Sequence, residues 1–189
     1  MTTQTVTYVT PEEYLAAERL SETRGEYLDG GVYPMTGGSI NHIRIVSNLT
    51  TELNIQLRDR DCDVLPTEMK VRLQESRKFF YPDICVVCSA PQFHDDRRDI
   101  ITNPEVVVEI LSPSTEAFDR GAKFQAYQTI ESLKEYLLVA QDKPFIEQFV
   151  RGEGGRWTYA AAAGLEGSLT LPSVECTLNL AAVYKRVEF

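Results

Sequence analysis

The run Val106-Val107-Val108-Glu109-Ile110-Leu111 constrains this chain more than any other stretch. A continuous series of β-branched residues and leucine at this length reads as a strand covered on both faces. Glu109 lies inside it. An ionised carboxylate in an apolar layer is costly unless it is paired, neutralised or bound to a metal, so this strand creates a demand for a partner elsewhere in the chain. A second apolar run, Ile84-Cys85-Val86-Val87-Cys88, begins behind Pro82 and Asp83. Proline cannot donate to a sheet ladder and suits the start of a strand. Two acids therefore stand at or within two core strands, and Lys123 follows one helix later.

At 189 residues and 43% hydrophobic content, the chain can bury a sizeable core, and one domain spanning 1–189 is the natural expectation. The opening MTTQTVTYVT has neither a basic start nor an apolar run, and no stretch of about 18 apolar residues occurs anywhere. The expected location is the cytoplasm, with no membrane partner. Cysteines at 62, 85, 88 and 176 are too scattered for a disulfide scaffold. Cys85 and Cys88 are separated by an odd number of positions along a strand, so they point to opposite faces and read as two buried free thiols rather than a metal or redox pair. Cys62 and Cys176 stand alone.

Thr10-Pro11-Glu12-Glu13 combines an N-cap, a first-turn proline and a capping-box acid, which predicts a helix to about Arg19. Glu26 to Leu28 and Val32 to Met35 flank Asp29-Gly30-Gly31 as a hairpin. A second helix follows Gly37-Gly38-Ser39 and ends near Arg58, with Ile40, Ile43, Val46, Leu49, Leu53 and Leu57 as its apolar stripe. One strand is expected within Val64 to Leu73, then a charged turn at Glu75 to Lys78. Strands at about 83–88 and 105–111 are separated by a polar loop from Pro91 to Asn103. Ser112 to Thr115 breaks the chain before a helix from about Thr115 to Ile130, weakened in its middle by Gly121, with Ser114 or Thr115 as its cap. Tyr136 to Val139, Phe145 to Arg151 and Arg156 to Ala160 read as the last strands.

This order of elements, with acids at two core strands, resembles the layout of a restriction-endonuclease-like fold, and the expected architecture is mixed α/β, with helices flanking a central mixed β-sheet behind an N-terminal helix and hairpin. Glu26-Tyr27-Leu28-Asp29-Gly30, Gly38-Ser39-x-x-His42, Tyr81-Pro82-Asp83, Val108 to Thr115, Asp119-Arg120-Gly121-x-Lys123-x-x-x-Tyr127 and Glu135-Tyr136 resemble, in order, the motifs of the Uma-two type of bacterial restriction-endonuclease family, within the PD-(D/E)XK nuclease superfamily. The resemblance runs from about Pro11 to Asp142. It implies Asp83 and Glu109 as metal ligands, Lys123 as the positively charged partner and Glu26 as an accessory acid. The superfamily lysine ordinarily lies two residues after the second acid. Leu111 holds that position here, so Lys123 would deliver its ammonium from the next helix.

The residue types suit phosphodiester hydrolysis. Hard oxygen donors match Mg²⁺ or Mn²⁺, which retain waters and need few protein carboxylates, and the backbone carbonyl of Ile110 is a further candidate ligand. Lys123 would add positive charge near the scissile phosphate, or take up a proton if its pKa falls. Tyr127, one turn after Lys123, reads as core packing, His42 as a secondary candidate and His94 as an exposed loop residue. The 19 Lys and Arg stand against 28 Asp and Glu, a formal net charge of −9, and such a field repels nucleic acid on average. Phosphate contacts would have to come from local groups: Lys70 with Arg72, Arg77 with Lys78, Arg97 with Arg98, and Arg120 with Lys123. The leading expectation is a Mg²⁺-dependent endonuclease acting on DNA, as a homodimer if both strands are cut, with RNA as an alternative substrate. The competing class is a non-catalytic or regulatory module that retains the fold and binds nucleic acid or protein.

Overall fold

The computed structural model describes residues 8–35, 37–73 and 77–189. The expected capping box forms: Thr10 Oγ1 accepts from Glu13 N at 3.2 Å and Glu13 Oε2 from Thr10 N at 2.8 Å, opening α1 (Pro11–Glu18). β1 (Gly25–Leu28) and β2 (Gly31–Pro34) pair antiparallel as the expected hairpin. Asp29 and Gly30 between them both take positive φ, at 46° and 96°, which two-residue hairpin turns require. α2 (Ile40–Leu57) is capped by Ser39 Oγ, which accepts from His42 N at 3.1 Å. Its buried row is Ile45, Leu49, Leu53 and Leu57. Ile40 and Ile43, expected on that stripe, are exposed because the row advances in steps of four and leaves them to one side.

The remaining elements are β3 (Asp63–Pro66), β4 (Lys70–Leu73), β5 (Lys78–Phe80), β6 (Ile84–Val87), β7 (Ile100–Ile101), β8 (Val106–Leu111), α3 (Glu116–Phe118), a π-helical turn (Asp119–Lys123), α4 (Phe124–Tyr127), β9 (Glu135–Ala140), β10 (Phe145–Arg151), β11 (Trp157–Ala163), β12 (Ser168–Leu171), β13 (Cys176–Asn179) and α5 (Leu180–Val183). They build a six-stranded sheet ordered β11-β10-β9-β8-β6-β3, a five-stranded sheet ordered β2-β1-β5-β4-β7, and the hairpin β12-β13. Both larger sheets are mixed: β8 runs parallel to β9, and β4 to β7. The mixed α/β architecture expected from the sequence is therefore present, with helices flanking the sheets.

Alternation along β8 divides the interior. Val106, Val108 and Ile110 join a core shared with α2 and α5, whereas Val107 and Leu111 join a second core with Val71, Phe80, Tyr127 and Tyr136. By the same period of two, Glu109 points towards this second core, where the π-helical turn passes.

Several boundaries differ from expectation. The strand sought within Val64 to Leu73 is two strands in different sheets. The chain turns between them at Thr67, whose φ is 42° and whose N–H donates to Asp83 O at 2.8 Å. Of the charged turn, Glu75 and Ser76 lie outside the described residues, and Lys78 opens β5. The helix expected to reach Ile130 ends at Tyr127 and changes from α to π geometry and back. Thr115 makes no side-chain cap; Ser112 Oγ instead accepts from Thr115 N at 3.3 Å. Cys88 is not free. It is disulfide-bonded to Cys62, the residue that continues the β3–β6 register opposite it, while Cys85 and Cys176 remain buried thiols. Among the described residues, no helix is long and apolar enough to cross a membrane.

Candidate active site

Five elements converge on one cleft of about 1860 Å³. Glu109 enters it from β8, Asp83 from just before β6, Glu26 from β1, Asp119 and Lys123 from the π-helical turn, and His42 from the first turn of α2. The buried partner that Glu109 demanded is Lys123. Its Nζ lies 2.9 Å from Glu109 Oε1, 2.9 Å from Glu26 Oε1 and 3.6 Å from Asp119 Oδ1. The π turn inserts an extra residue into the helical path, a feature common at functional sites, and here it sets Asp119 and Lys123 side by side. Glu26 Oε1 also accepts from Tyr81 N at 3.0 Å.

Asp83 is held at both oxygens. His42 Nε2 lies 2.8 Å from Oδ1, and Ile110 N donates to Oδ2 at 2.7 Å. This second bond joins the acids of neighbouring strands. In the β6–β8 register Ile84 faces Val108, so continuation would set Pro82 opposite Ile110. Proline has no N–H to give, and an extended residue directs its own N–H and C=O to the same side. The Ile110 carbonyl therefore faces the acids without a ladder donor from Pro82.

Burial and charge oppose one another at the lysine. Desolvation works against the Lys123 ammonium, but Glu109, Glu26 and Asp119 outweigh it and hold its pKa above the ordinary value. Lys123 is thus a fixed cation, and the fall in pKa that would make it a proton acceptor is not found. Burial pushes the Glu109 carboxyl well upward despite Lys123, with Asp119, Asp83 and Glu26 adding to the rise. The Asp119 carboxyl is raised chiefly by its own burial. Burial acts against charged His42, yet the Asp83 carboxylate overcomes this and raises its pKa.

The donor set can be tested for a hard cation. Glu109 Oε1 is buried, and its one close partner among the described residues is the Lys123 ammonium at 2.9 Å. Asp83 and Glu109 offer oxygen donors of the right chemistry. Among the described residues, however, no group of three or more His, Cys, Asp or Glu forms a metal cage. Two carboxylates with a backbone carbonyl suit Mg²⁺ or Mn²⁺, which keep several waters, and do not suit a closed structural zinc centre.

The structure brings together Asp83, Glu109, Lys123, Glu26 and the backbone of Ile110. It also brings in His42 and Asp119, which sequence reasoning ranked low or passed over. The available signal for Asp119 was its position four residues before Lys123. Tyr127 is buried core, as expected. His94 is not simply exposed: it is half-buried, edge-on to Phe79, and Arg72 Nη1 donates to its Nδ1 at 2.5 Å. Lys70 is no phosphate contact, since it is buried with its Nζ 2.5 Å from Glu18 Oε2. Lys78 pairs with Asp29, and Arg120 with Glu116 and Glu147.

The model of the family described as "Uma2: Putative restriction endonuclease" matches residues 11–182. The chain belongs to the Uma2 family. That match continues past Asp142, the end of the motifs recognisable by eye, through β13 and into α5. An uncharacterized protein of Synechocystis sp., slr1290, is 36% identical over 186 residues, covering 96% of this chain and 94% of its own length. A second from the same organism, sll1609, is 33% identical over 164 residues, covering 87% and 93%. The fold matches the crystal structure described as "a putative nuclease belonging to DUF820" from Anabaena variabilis with a TM-score of 0.77, over 95% of this chain and 99% of that one. At 16% identity the likeness is one of fold. The Uma2 motifs quoted from the sequence supply every side chain of the cluster around Lys123: Glu26, Glu109 and Asp119.

Proposed function

We propose that this Uma2 chain is a metal-dependent endonuclease that hydrolyses DNA phosphodiester bonds. The observation that carries the reading is the convergence of Asp83 and Glu109, linked through Ile110, with Lys123 2.9 Å from Glu109 in an open cleft. Asp83, Glu109 and the Ile110 carbonyl would hold Mg²⁺ or Mn²⁺. Such an ion, when bound, makes a water more acidic and neutralises charge on a phosphoryl oxygen. Lys123 presents permanent positive charge where the phosphate would gain negative charge, and Glu26 with Asp119 keeps that ammonium in place. His42 fixes the orientation of Asp83. Cutting both strands of a duplex would take a second copy of the chain.

The competing reading, a non-catalytic module, draws on the same lysine: its ammonium already pairs with Glu109 and Glu26. Cleavage of plasmid and of single-stranded DNA by the purified chain decides between them. Cleavage in Mn²⁺, silence in EDTA, and loss of most activity in Asp83→Asn and Glu109→Gln would support the nuclease. Lys123→Ala should cost about 10²–10³-fold in rate, the usual scale for removing one stabiliser of transition-state charge. His42→Ala should weaken Mn²⁺ binding by about 10- to 100-fold, as loss of a group orienting a ligand does. Equal cleavage of both substrates by wild type and Asp83→Asn would sink the assignment.

A further inference from the structure

Tyr33 is an exposed aromatic residue on the wall of this cleft. In the β1–β2 register it stands directly opposite Glu26. Directly opposed residues of an antiparallel pair share one face of the sheet, with Cβ atoms about 4.5–5.5 Å apart. Both side chains line the cleft, and Glu26 there holds Lys123. Tyr33 is 56% exposed, and its ring lies over Gly31, where an added Cβ would come within 3.1 Å of it. Met35, whose N–H donates to Arg24 O at 2.9 Å, extends the same apolar face. An open π-surface thus adjoins the acid and lysine cluster.

Charge decides which form of nucleic acid could use that surface. The cleft lining carries eight carboxylates against four Lys or Arg. Arg24 is paired with Glu68, Arg120 with Glu116 and Glu147, and Lys123 is enclosed by acids. Lys143 on the rim has no ion pair among the described residues. A face that grips a duplex neutralises a row of phosphates with Lys and Arg, and such a row is not present in the lining. Proteins that hold single strands also stack bases on aromatic rings, a part of the grip that does not come from phosphate contacts and that requires an unpaired base.

Building on the nuclease reading, we infer that the substrate reaches Lys123 as an unpaired nucleotide with its base stacked on Tyr33: a single strand or frayed end rather than an intact duplex. The test is fluorescence anisotropy of a labelled DNA oligonucleotide, alone or annealed to its complement, titrated with the full chain in Ca²⁺, a cation that takes oxygen ligands. The single strand should bind about tenfold more tightly than the duplex or better, and Tyr33→Ala should lose about 5- to 100-fold of that affinity, the scale of one stacked base. Tyr33→Phe should retain it, because the ring makes the contact, and the melting temperature of Tyr33→Ala should match wild type. Equal affinity for the two DNA forms, or wild-type binding by Tyr33→Ala, overturns the inference and leaves the nuclease reading standing. A wild-type chain that neither binds nor cuts either form in Mn²⁺ overturns both. Tighter binding of RNA of the same sequence, with the same Tyr33 dependence, sustains the stacked nucleotide and moves the substrate from DNA to RNA.

Discussion

Lys123 sits among Glu26, Glu109 and Asp119 with only 6% of its side chain exposed. Removing one partner from a buried charge cluster leaves the others uncompensated, at a cost of about 3–5 kcal/mol. Lys123→Met should therefore lower stability on that scale in denaturant titrations at neutral pH, and adding Glu109→Gln should recover part of the loss. The deficit should shrink as pH falls, since protonating the raised carboxyls removes their repulsion. A single variant as stable as wild type would mean the cluster carries no net charge to compensate. Glu109 and Asp83 were legible because a carboxylate in an apolar run contradicts its surroundings. Lys123 was legible because the family motif flags it despite the departure at Leu111. The part played by His42 was not, since nothing local to α2 reveals that its ring meets Asp83 across the cleft.

At the scale of elements, the long strands and α2 could be read from periodicity, but β5, β7, β12 and β13 could not. Strands of two to four residues are too short to show a period, and their pairing is set by distant neighbours. The same limit hid the disulfide, because Cys62 and Cys88 meet only through the β3–β6 register. The π turn was read as a weak α-helix centred on Gly121. A Cβ there would meet nothing within 4 Å, and its φ is not in the left-handed region. Gly121→Ala should thus stabilise the fold by about 0.4–1 kcal/mol, measured by chemical denaturation. The end of α1 is tied to the Pro91–Asn103 loop by Arg19, which donates to Asp99 and Asp95. These bonds hold both carboxyls below their usual range. Lowered folded-state values mean stability that is present above the ordinary carboxylate pKa and lost as pH falls through the folded ones. Arg19→Leu should accordingly flatten the acid limb of the melting-temperature profile; an unchanged slope below pH 4 would show that the tie contributes nothing.

Across the whole molecule the site is a seam. Glu26 comes from the five-stranded sheet, Asp83 and Glu109 from the six-stranded one, and Lys123 spans the gap between them. With the proposed ligands, Mn²⁺ at a hundredfold excess over its Kd should add about 2.7 kcal/mol of stability. EDTA should remove that increment and leave cooperative unfolding intact; a chain that loses its cooperative melt on chelation would contradict the seam as described. The ammonium at its centre bears on the order of events during maturation. Where clustered ligands have no counter-charge of their own, folding waits for the metal. Here one counter-charge, the Lys123 ammonium, is written into the polypeptide, so folding need not wait for an ion. On the nuclease reading, a newly made chain would be folded yet inert until an ion is supplied.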